Sequence, residues 1–93
     1  MKVRYERGAV NDLEEIFAYV ATDNRVAAAR LVARIENAVK RIAENPRIGE
    51  TTRKTHFRRL AVEKYLIVYE IGPDEVVVQY VRHSARRRPW ERE

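Results

Sequence analysis

The chain has 93 residues, of which 45% are apolar and 35% charged, with a formal net charge of +5. This composition is typical of one small globular domain with a heavily charged surface and argues against a disordered chain. The lack of cysteine excludes disulfide and thiol chemistry, and no apolar run approaches the roughly 18 residues of a membrane span. We therefore expect one soluble, cytoplasmic domain (1–93) that does not enter a membrane.

A short strand and a first helix are predicted at the start of the chain. Residues 2–6 alternate polar and apolar side chains, which indicates a strand that ends at Gly8. Asn11 and Glu14 have the spacing of a capping box, so the first helix should run from about residue 12 to 21. Its apolar residues lie on one face.

The second helix is predicted to begin near Arg25, after a polar break over 22–24 that can cap it, and to end before Pro46. Apolar residues recur along it with three- and four-residue spacing, at Ala28, Leu31, Ile35, Ala38 and Ile42. The two helices should form a hairpin. Its apolar face can serve either as core or as a partner-binding surface.

Three strands are predicted after a polar loop over 46–55, at 57–62, 65–71 and 76–81, with turn residues between the last two. The order β-α-α-β-β-β predicts an α+β fold in which the N-terminal helical hairpin covers one face of an antiparallel sheet. On the last strand, alternation predicts one set facing the helices and the other facing outward. The expected inward set is Val76, Val78, Tyr80 and Arg82, and the expected outward set is Val77, Gln79, Val81 and His83.

Positive charge is concentrated in the second half of the chain. Residues 46–93 contain eleven Lys and Arg against seven Asp and Glu, whereas residues 1–45 contain eight against seven. The last two strands place cationic side chains at their outer ends, and residues 86–93 form a basic tail that contains Trp90. This arrangement favours an anionic partner, either nucleic acid or an acidic protein.

Several candidate residues admit two interpretations. His83 can contact a target or catalyse a reaction, or it can form a structural hydrogen bond to a loop. Arg58 and Arg59 lie on alternate faces of one strand, so at most one faces the open surface, while the other can pair with Glu63, Glu70 or Glu75 on a neighbouring segment. Two histidines, no cysteine and no glycine-rich phosphate loop predict neither a metal site nor a cofactor.

The strongest pattern extends over nearly the whole chain. It comprises Ala9, Asp12-Leu13, Ile16 and Tyr19-Val20, then Asn45-Pro46 with Gly49, Phe57-Arg58-Arg59-Leu60, the run from Tyr65 to Ile71, and Val81-Arg82-His83-Ser84-Ala85-Arg86. In this order and spacing, the chain resembles the RelE/ParE superfamily of bacterial type II toxin–antitoxin toxins. The resemblance implies a small basic toxin, associated with plasmid stabilisation, and a cognate antitoxin that wraps around it.

The two branches of the superfamily imply different targets. RelE-like members cleave messenger RNA on the ribosome without a metal, and ParE-like members poison DNA gyrase. RelE-like nucleases usually have a functional tyrosine at the C-terminus, but no tyrosine follows Tyr80 here. The resemblance therefore favours a gyrase poison, with an mRNA endoribonuclease or a non-toxic basic nucleic-acid-binding module as alternatives.

The expected site residues follow from this resemblance. If the chain is a nuclease, His83 and Arg86 are the catalytic candidates. The target-binding candidates are Arg58, Arg59, Arg82, His83, Arg86, Arg87, Arg88 and Trp90. An acidic antitoxin, partly disordered when free, is expected to cover the helical hairpin or to lie along a sheet edge, and the hairpin candidates are Leu13, Phe17, Leu31 and Ile35.

Overall fold

The computed structural model describes residues 1–54 and 56–85. Its elements are β1 (Lys2–Tyr5), α1 (Arg7–Ala21), α2 (Arg25–Glu44), a 3₁₀ helix (Pro46–Ile48), β2 (Glu50–Thr51), β3 (Phe57–Val62), β4 (Tyr65–Ile71) and β5 (Glu75–His83). The predicted α+β fold and the order of its main elements are confirmed. The 3₁₀ helix and β2 lie in the segment that the sequence predicted as loop.

The five strands form one sheet in the order β1-β5-β4-β3-β2. Strands β2 to β5 pair antiparallel, as predicted. Strand β1 is parallel to β5, with Val3 opposite Val76 and Tyr5 opposite Val78, so the sheet is mixed and not wholly antiparallel. Both helices and three strands separate β1 from β5, and a connection of that length can place the two strands parallel.

Helix α2 agrees with the sequence prediction, and Asn24 caps it by accepting a 3.0 Å hydrogen bond from the Ala27 N–H. Helix α1 begins at Arg7, about one and a half turns before the predicted start near residue 12. The predicted capping box is therefore wrong, because Glu6 is the N-cap and its carbonyl accepts hydrogen bonds from the Ala9 and Val10 N–H groups of the first helical turn. Among the described residues, no helix is long and apolar enough to cross a membrane.

The core lies between the helical hairpin and one face of the sheet, here called the helix face. The opposite face is called the open face. Side chains from both helices and four strands meet in this core, which includes Ile16, Ile35, Ala38, Val39, Ile42, Val62, Ile67, Tyr69, Val76, Val78 and Val81. Burial of these aliphatic and aromatic groups is the main stabilising contribution to the fold.

A β-bulge interrupts the pairing of β4 and β5. Val68 lies opposite Tyr80, whereas the next residue, Tyr69, lies opposite Val78, so Gln79 has no partner across the ladder. An extra residue of this kind reverses the side-chain alternation beyond it. The faces predicted for the end of β5 are therefore exchanged.

Because of the bulge, four side chains of β5 lie on the face opposite to the predicted one. Val76 and Val78 face the helices as predicted, and Val77 and Gln79 face outward as predicted. Beyond the bulge the assignments were wrong: Val81 and His83 lie on the helix face, while Tyr80 and Arg82 lie on the open face.

A hydrogen bond joins helix α1 to β5 just beyond this bulge. The carboxylate of Asp12, only 2% exposed, accepts a 2.9 Å hydrogen bond from the Val81 backbone N–H. A buried N–H without a partner costs about 1–3 kcal/mol. Asp12 thus satisfies a ladder group near the bulge and fixes α1 against β5.

The loop after α2 is attached to the sheet through Tyr69. Its hydroxyl donates to the Pro46 carbonyl at 2.6 Å and accepts from the Gly49 N–H at 2.9 Å. A Cβ at Gly49 would lie 2.6 Å from that hydroxyl, which is too close for any side chain. Burial raises the pKa of Tyr69, so the hydroxyl keeps its proton to a higher pH than an exposed tyrosine does.

Candidate functional site

His83 is the last residue of β5, and its contacts stabilise the end of that strand. Its ring packs edge to face on Tyr65, with 5.2 Å between ring centroids, and its Nδ1 accepts a 3.1 Å hydrogen bond from the Ala85 N–H. The Ser84 N–H donates to the Lys64 carbonyl at 2.7 Å. Because Nδ1 is an acceptor here, the neutral ring carries its proton on Nε2. These bonds fix the direction in which the chain leaves the sheet.

Arg82 occupies the opposite face from His83. It is only 5% exposed, and its guanidinium lies 6.0 Å from the centre of the Tyr80 ring. A cation at that distance is attracted to the aromatic face. Arg82 is thus a buried part of the open face in this conformation, not a freely accessible contact residue.

Arg58 and Arg59 lie on alternate faces of β3, as predicted, because they pair with Tyr69 and Val68 respectively. Arg58 lies on the helix face and donates to the Gly49 carbonyl at 2.7 Å, which supports the loop after α2. Arg59 lies on the open face and forms a 3.5 Å ion pair with Glu50 of β2. The predicted partners Glu63, Glu70 and Glu75 were wrong, because these glutamates contact Arg34, Gln79 and Arg4 instead.

Carboxylates on the open face and its edge reduce the positive charge there. Arg4 donates to Glu75 at 3.3 Å and also pairs with Glu6, and the hydrogen bond and charge of Glu75 raise the pKa of Arg4. Exposed pairs of this kind contribute little to stability. They do mean that the basic sequence does not produce a uniformly basic sheet surface.

Those candidate catalytic and target-binding residues that the structure describes do not converge on one point. His83 and Arg58 lie on the helix face, and Arg59 and Arg82 lie on the open face. Arg86, Arg87, Arg88 and Trp90 lie outside the described residues, so their target-binding role stays a prediction.

An apolar groove of about 440 Å³ lies between α1, α2 and the end of β1. We call it the helical groove, and its lining residues are Tyr5, Val10, Leu13, Glu14, Phe17, Val32 and Glu36. Val10, an apolar residue of this groove, is 42% exposed. Exposed apolar surface with a polar rim is typical of a protein-interaction site.

A second groove of about 440 Å³ lies between β1 and α2. We call it the edge groove, and its lining residues are Val3, Tyr5, Ala33, Glu36, Asn37, Val39 and Lys40. Tyr5 and Glu36 line both grooves, so the two form one continuous surface. Burial, with a smaller contribution from the charge of Glu36, raises the pKa of Tyr5.

The predicted antitoxin-binding residues divide between this surface and the core. Leu13 and Phe17 line the helical groove. Leu31 is partly buried against the core, and Ile35 is fully buried within it, so Ile35 is not available to a partner. Sequence reasoning missed Tyr5, Val10, Glu14, Val32 and Glu36, although Val10, Leu13 and Phe17 have the spacing of one helix face.

Comparison with known proteins agrees with this fold. A family model described as the ParE toxin of the type II toxin–antitoxin system parDE matches residues 3–88. The chain belongs to the ParE toxin family. A curated candidate toxin of Sinorhizobium fredii, Y4kP, is 38% identical over 90 residues, which cover 95% of this chain and 93% of that protein.

Solved structures extend the similarity to the backbone. The chromosomal ParDE toxin–antitoxin system of P. aeruginosa has a chain with a TM-score of 0.78 and 22% identity, covering 89% of this chain and 95% of that one. A chain of the RelBE2 toxin–antitoxin complex of Mycobacterium tuberculosis has a TM-score of 0.65 and 23% identity, covering 88% and 95%. At these identities the structures establish the shared ParE/RelE-like fold alone. The ParE family itself is established by the family model.

Proposed function

We propose that this ParE-family toxin arrests bacterial growth by poisoning DNA gyrase through a protein–protein contact, and that a cognate antitoxin neutralises it. Family membership supports the toxin role. The structural neighbours belong to ParDE and RelBE systems, which supports pairing with an antitoxin. The chain's own residues support the choice of gyrase over messenger RNA.

The position of His83 is the observation that favours gyrase over messenger RNA as the target. Cleavage of RNA needs an acid or base and fixed cations around a single phosphate. His83 lies on the helix face with its Nδ1 bonded to the Ala85 N–H, and Arg58 on that face is bonded to the Gly49 carbonyl, whereas Arg59 and Arg82 lie on the other face of the sheet. This separation favours a binding surface over a nuclease site.

We place the centre of the gyrase contact on the C-terminal residues Arg86, Arg87, Arg88 and Trp90. Arginine and tryptophan are the residues most enriched among the anchors of protein interfaces. The Ala85–His83 and Ser84–Lys64 hydrogen bonds hold the two residues that precede this segment. In this account His83 and Arg82 support the contact from within the fold.

The helical groove is the proposed docking surface for the antitoxin. It offers Leu13, Phe17 and Val10 on an exposed apolar floor. The toxin's charge of +5 attracts an acidic partner over a longer range. Because such a partner binds only the folded toxin, it should raise the toxin's melting temperature.

Two linked assays test the proposal. Regulated expression of the toxin alone should arrest growth, and coexpression of the neighbouring antitoxin gene should restore it. Purified toxin should then inhibit supercoiling of relaxed plasmid by gyrase, and prior addition of antitoxin should abolish that inhibition. Normal growth at confirmed levels of folded toxin would contradict the toxin role. Growth arrest with fully active gyrase would contradict only the target.

A plain nucleic-acid-binding module makes a different prediction. It should bind DNA or RNA with an affinity that falls steeply with salt and should need no antitoxin for healthy growth. Filter binding across a salt series, in parallel with the growth assay, separates the two functions.

A further inference from the structure

Within the described part of the chain, the excess of positive charge belongs to one short stretch. Residues 47–59 contain five Lys and Arg against one Glu, whereas residues 1–46 and 60–85 together contain ten Lys and Arg against eleven Asp and Glu. The stretch includes β2, the start of β3 and the turn between them. Because these residues are close together, their charges add to one local field.

Strands β2 and β3 pair antiparallel, and we call them and the turn that joins them the basic hairpin. The Thr52 N–H donates to the Phe57 carbonyl at 3.2 Å, and the Phe57 N–H donates to the Lys54 carbonyl at 3.0 Å. The Thr52 hydroxyl also donates to the Lys54 carbonyl, at 3.0 Å. These bonds hold the backbone on both sides of the turn, so its cationic side chains start from a defined position.

The cations of the basic hairpin are exposed or keep their charge. Arg47, Arg53 and Lys54 are exposed. The Arg58 guanidinium donates to the Gly49 carbonyl at 2.7 Å and to the Arg47 carbonyl at 3.5 Å, which places Arg47 beside the hairpin. A carbonyl is neutral and a guanidinium does not deprotonate, so these bonds leave the positive charge of Arg58 in place.

The turn of the basic hairpin lies at the opposite end of the sheet from His83. Phe57 is the first residue of β3 and Val62 is the last. Val62 lies opposite Tyr65, which lies opposite His83. From Phe57 to Val62 the strand extends about 17 Å. The hairpin is therefore a surface distinct from the strand end that precedes residues 86–93.

The chemistry of this surface favours a phosphate backbone over an acidic protein. Arginine and lysine side chains, threonine hydroxyls and backbone N–H groups are the usual partners of DNA phosphates. Protein–DNA interfaces are polar and strongly basic, whereas the centre of a protein–protein interface is apolar and depleted in charge. The two apolar grooves of the described structure lie elsewhere, beside the helices and β1.

We propose that the basic hairpin binds the phosphate backbone of duplex DNA through Arg47, Arg53 and Lys54, with the charge of Arg58 adding to the attraction. The duplex is the DNA on which gyrase acts, so the toxin contacts the enzyme through residues 86–93 and the DNA through the hairpin. This assignment rests on the proposed gyrase function and adds a second partner to it. A toxin that contacts both partners stabilises the gyrase–DNA complex, because binding shifts an equilibrium toward the bound species.

DNA binding by the purified full-length toxin tests the hairpin directly. The probe is a fluorescently labelled DNA duplex, and anisotropy across a salt series gives the affinity and its salt dependence. Replacing both turn cations, Arg53→Gln with Lys54→Gln, should weaken binding by about tenfold or more. It should also lower the slope of log K against log salt by about two, since each lost phosphate contact lowers the slope by about one.

A matched pair of substitutions on α2 controls for net charge. Arg25→Gln with Arg30→Gln removes the same charge from two exposed arginines outside the hairpin. This pair should change the affinity by less than about twofold and leave the slope unchanged. Equal effects of the two pairs would overturn the proposal, because net charge alone would explain them. Tighter binding of polyglutamate than of DNA would indicate an acidic protein as the partner and would also overturn it.

Gyrase inhibition tests whether the hairpin acts on the DNA bound to the enzyme. In a supercoiling assay, the Arg53→Gln and Lys54→Gln toxin should need at least about tenfold more protein for half inhibition. Its affinity for gyrase without DNA should stay within about twofold of that of the natural toxin. Loss of gyrase binding in the absence of DNA would make the hairpin a protein contact and would overturn the proposal.

The hairpin–DNA contact and the gyrase function fail in distinguishable ways. Full inhibition by the hairpin variant, folded by circular dichroism, overturns the DNA contact and leaves gyrase poisoning intact. Growth arrest by a natural toxin that leaves gyrase fully active overturns the target and with it the role of the hairpin there. A plain nucleic-acid-binding module also binds DNA but does not arrest growth, so the growth assay separates it from this toxin.

Discussion

The Asp12 carboxylate accepts a 2.9 Å hydrogen bond from the Val81 backbone N–H across the interface between α1 and β5. Val81 follows the bulge at Gln79, so this bond lies where the alternation of side chains between the two faces of β5 is reversed. It thereby links the helical hairpin to the strand end that carries Arg82 and His83.

Replacing Asp12 should destabilise the fold measurably. Asp12→Ala leaves the buried Val81 N–H without its acceptor, which should lower the free energy of unfolding by about 1.5–3 kcal/mol. Asp12→Asn should cost less, because the amide oxygen can still accept the bond. Urea unfolding monitored by circular dichroism measures both. A loss below about 0.5 kcal/mol for the alanine variant would contradict this assignment.

Substitution by alanine should have opposite effects on stability at Gly49 and at Gly8. A Cβ at Gly49 would lie 2.6 Å from the Tyr69 hydroxyl and 2.7 Å from the Arg59 carbonyl, so Gly49→Ala should cost about 1–3 kcal/mol. At Gly8 the nearest atom outside the helix is the Gln79 carbonyl oxygen at 3.6 Å, an ordinary contact. Gly8→Ala should therefore be neutral or stabilise α1 by up to about 1 kcal/mol. Thermal unfolding of the two variants side by side checks the contrast, and equal destabilisation would contradict it.

The Tyr69 hydroxyl should make stability depend on alkaline pH. Burial raises its pKa in the folded state, so the folded protein retains this proton after an unfolded tyrosine, with a pKa of about 10, has lost it. The Tyr69 contribution is therefore complete below about pH 10 and is lost as pH rises through the raised pKa. Urea unfolding from pH 9 to 11 should show a steeper loss in the natural protein than in Tyr69→Phe. Identical slopes would contradict the assignment.

The gyrase and nuclease accounts predict opposite effects of two variants. In the gyrase account, truncation after Ala85 abolishes toxicity because it removes the arginine and tryptophan anchors, while His83→Gln retains most of it. A nuclease should lose about two or more orders of magnitude in cleavage with His83→Gln. Growth assays report toxicity, and circular dichroism confirms that both variants fold. Loss of toxicity in a folded His83→Gln protein with full activity of the truncated chain would contradict the gyrase account.

Local sequence patterns were sufficient to predict α2, β3 and β4. The Asn24 cap and Pro46 bound α2, and aromatic and β-branched runs define the two strands. The start of α1 was not predictable in this way, because Gly8 suggests a break although it lies in the first helical turn. The apparent capping box failed because Asn11 and Glu14 both lie inside a helix that begins at Arg7.

The bulge and the grooves depend on contacts between distant segments. Apart from Gln79, residues 76–81 are apolar on both faces of the strand, so alternation cannot reveal that Gln79 is the extra residue of a bulge. Leu13 and Phe17 were found from helical spacing, but their groove also needs Tyr5 from β1 and Glu36 from α2. The sequence pattern of one helix does not contain that arrangement.

A paired measurement in poisoned cells tests the gyrase proposal most directly. Transcript ends and DNA breaks are sequenced from the same culture after induction of the toxin, with an antitoxin-coexpressing culture as control. We expect DNA breaks with intact messages, together with inhibition of purified gyrase. Codon-positioned cuts in translated messages, with unbroken DNA and normal supercoiling, would contradict the proposal.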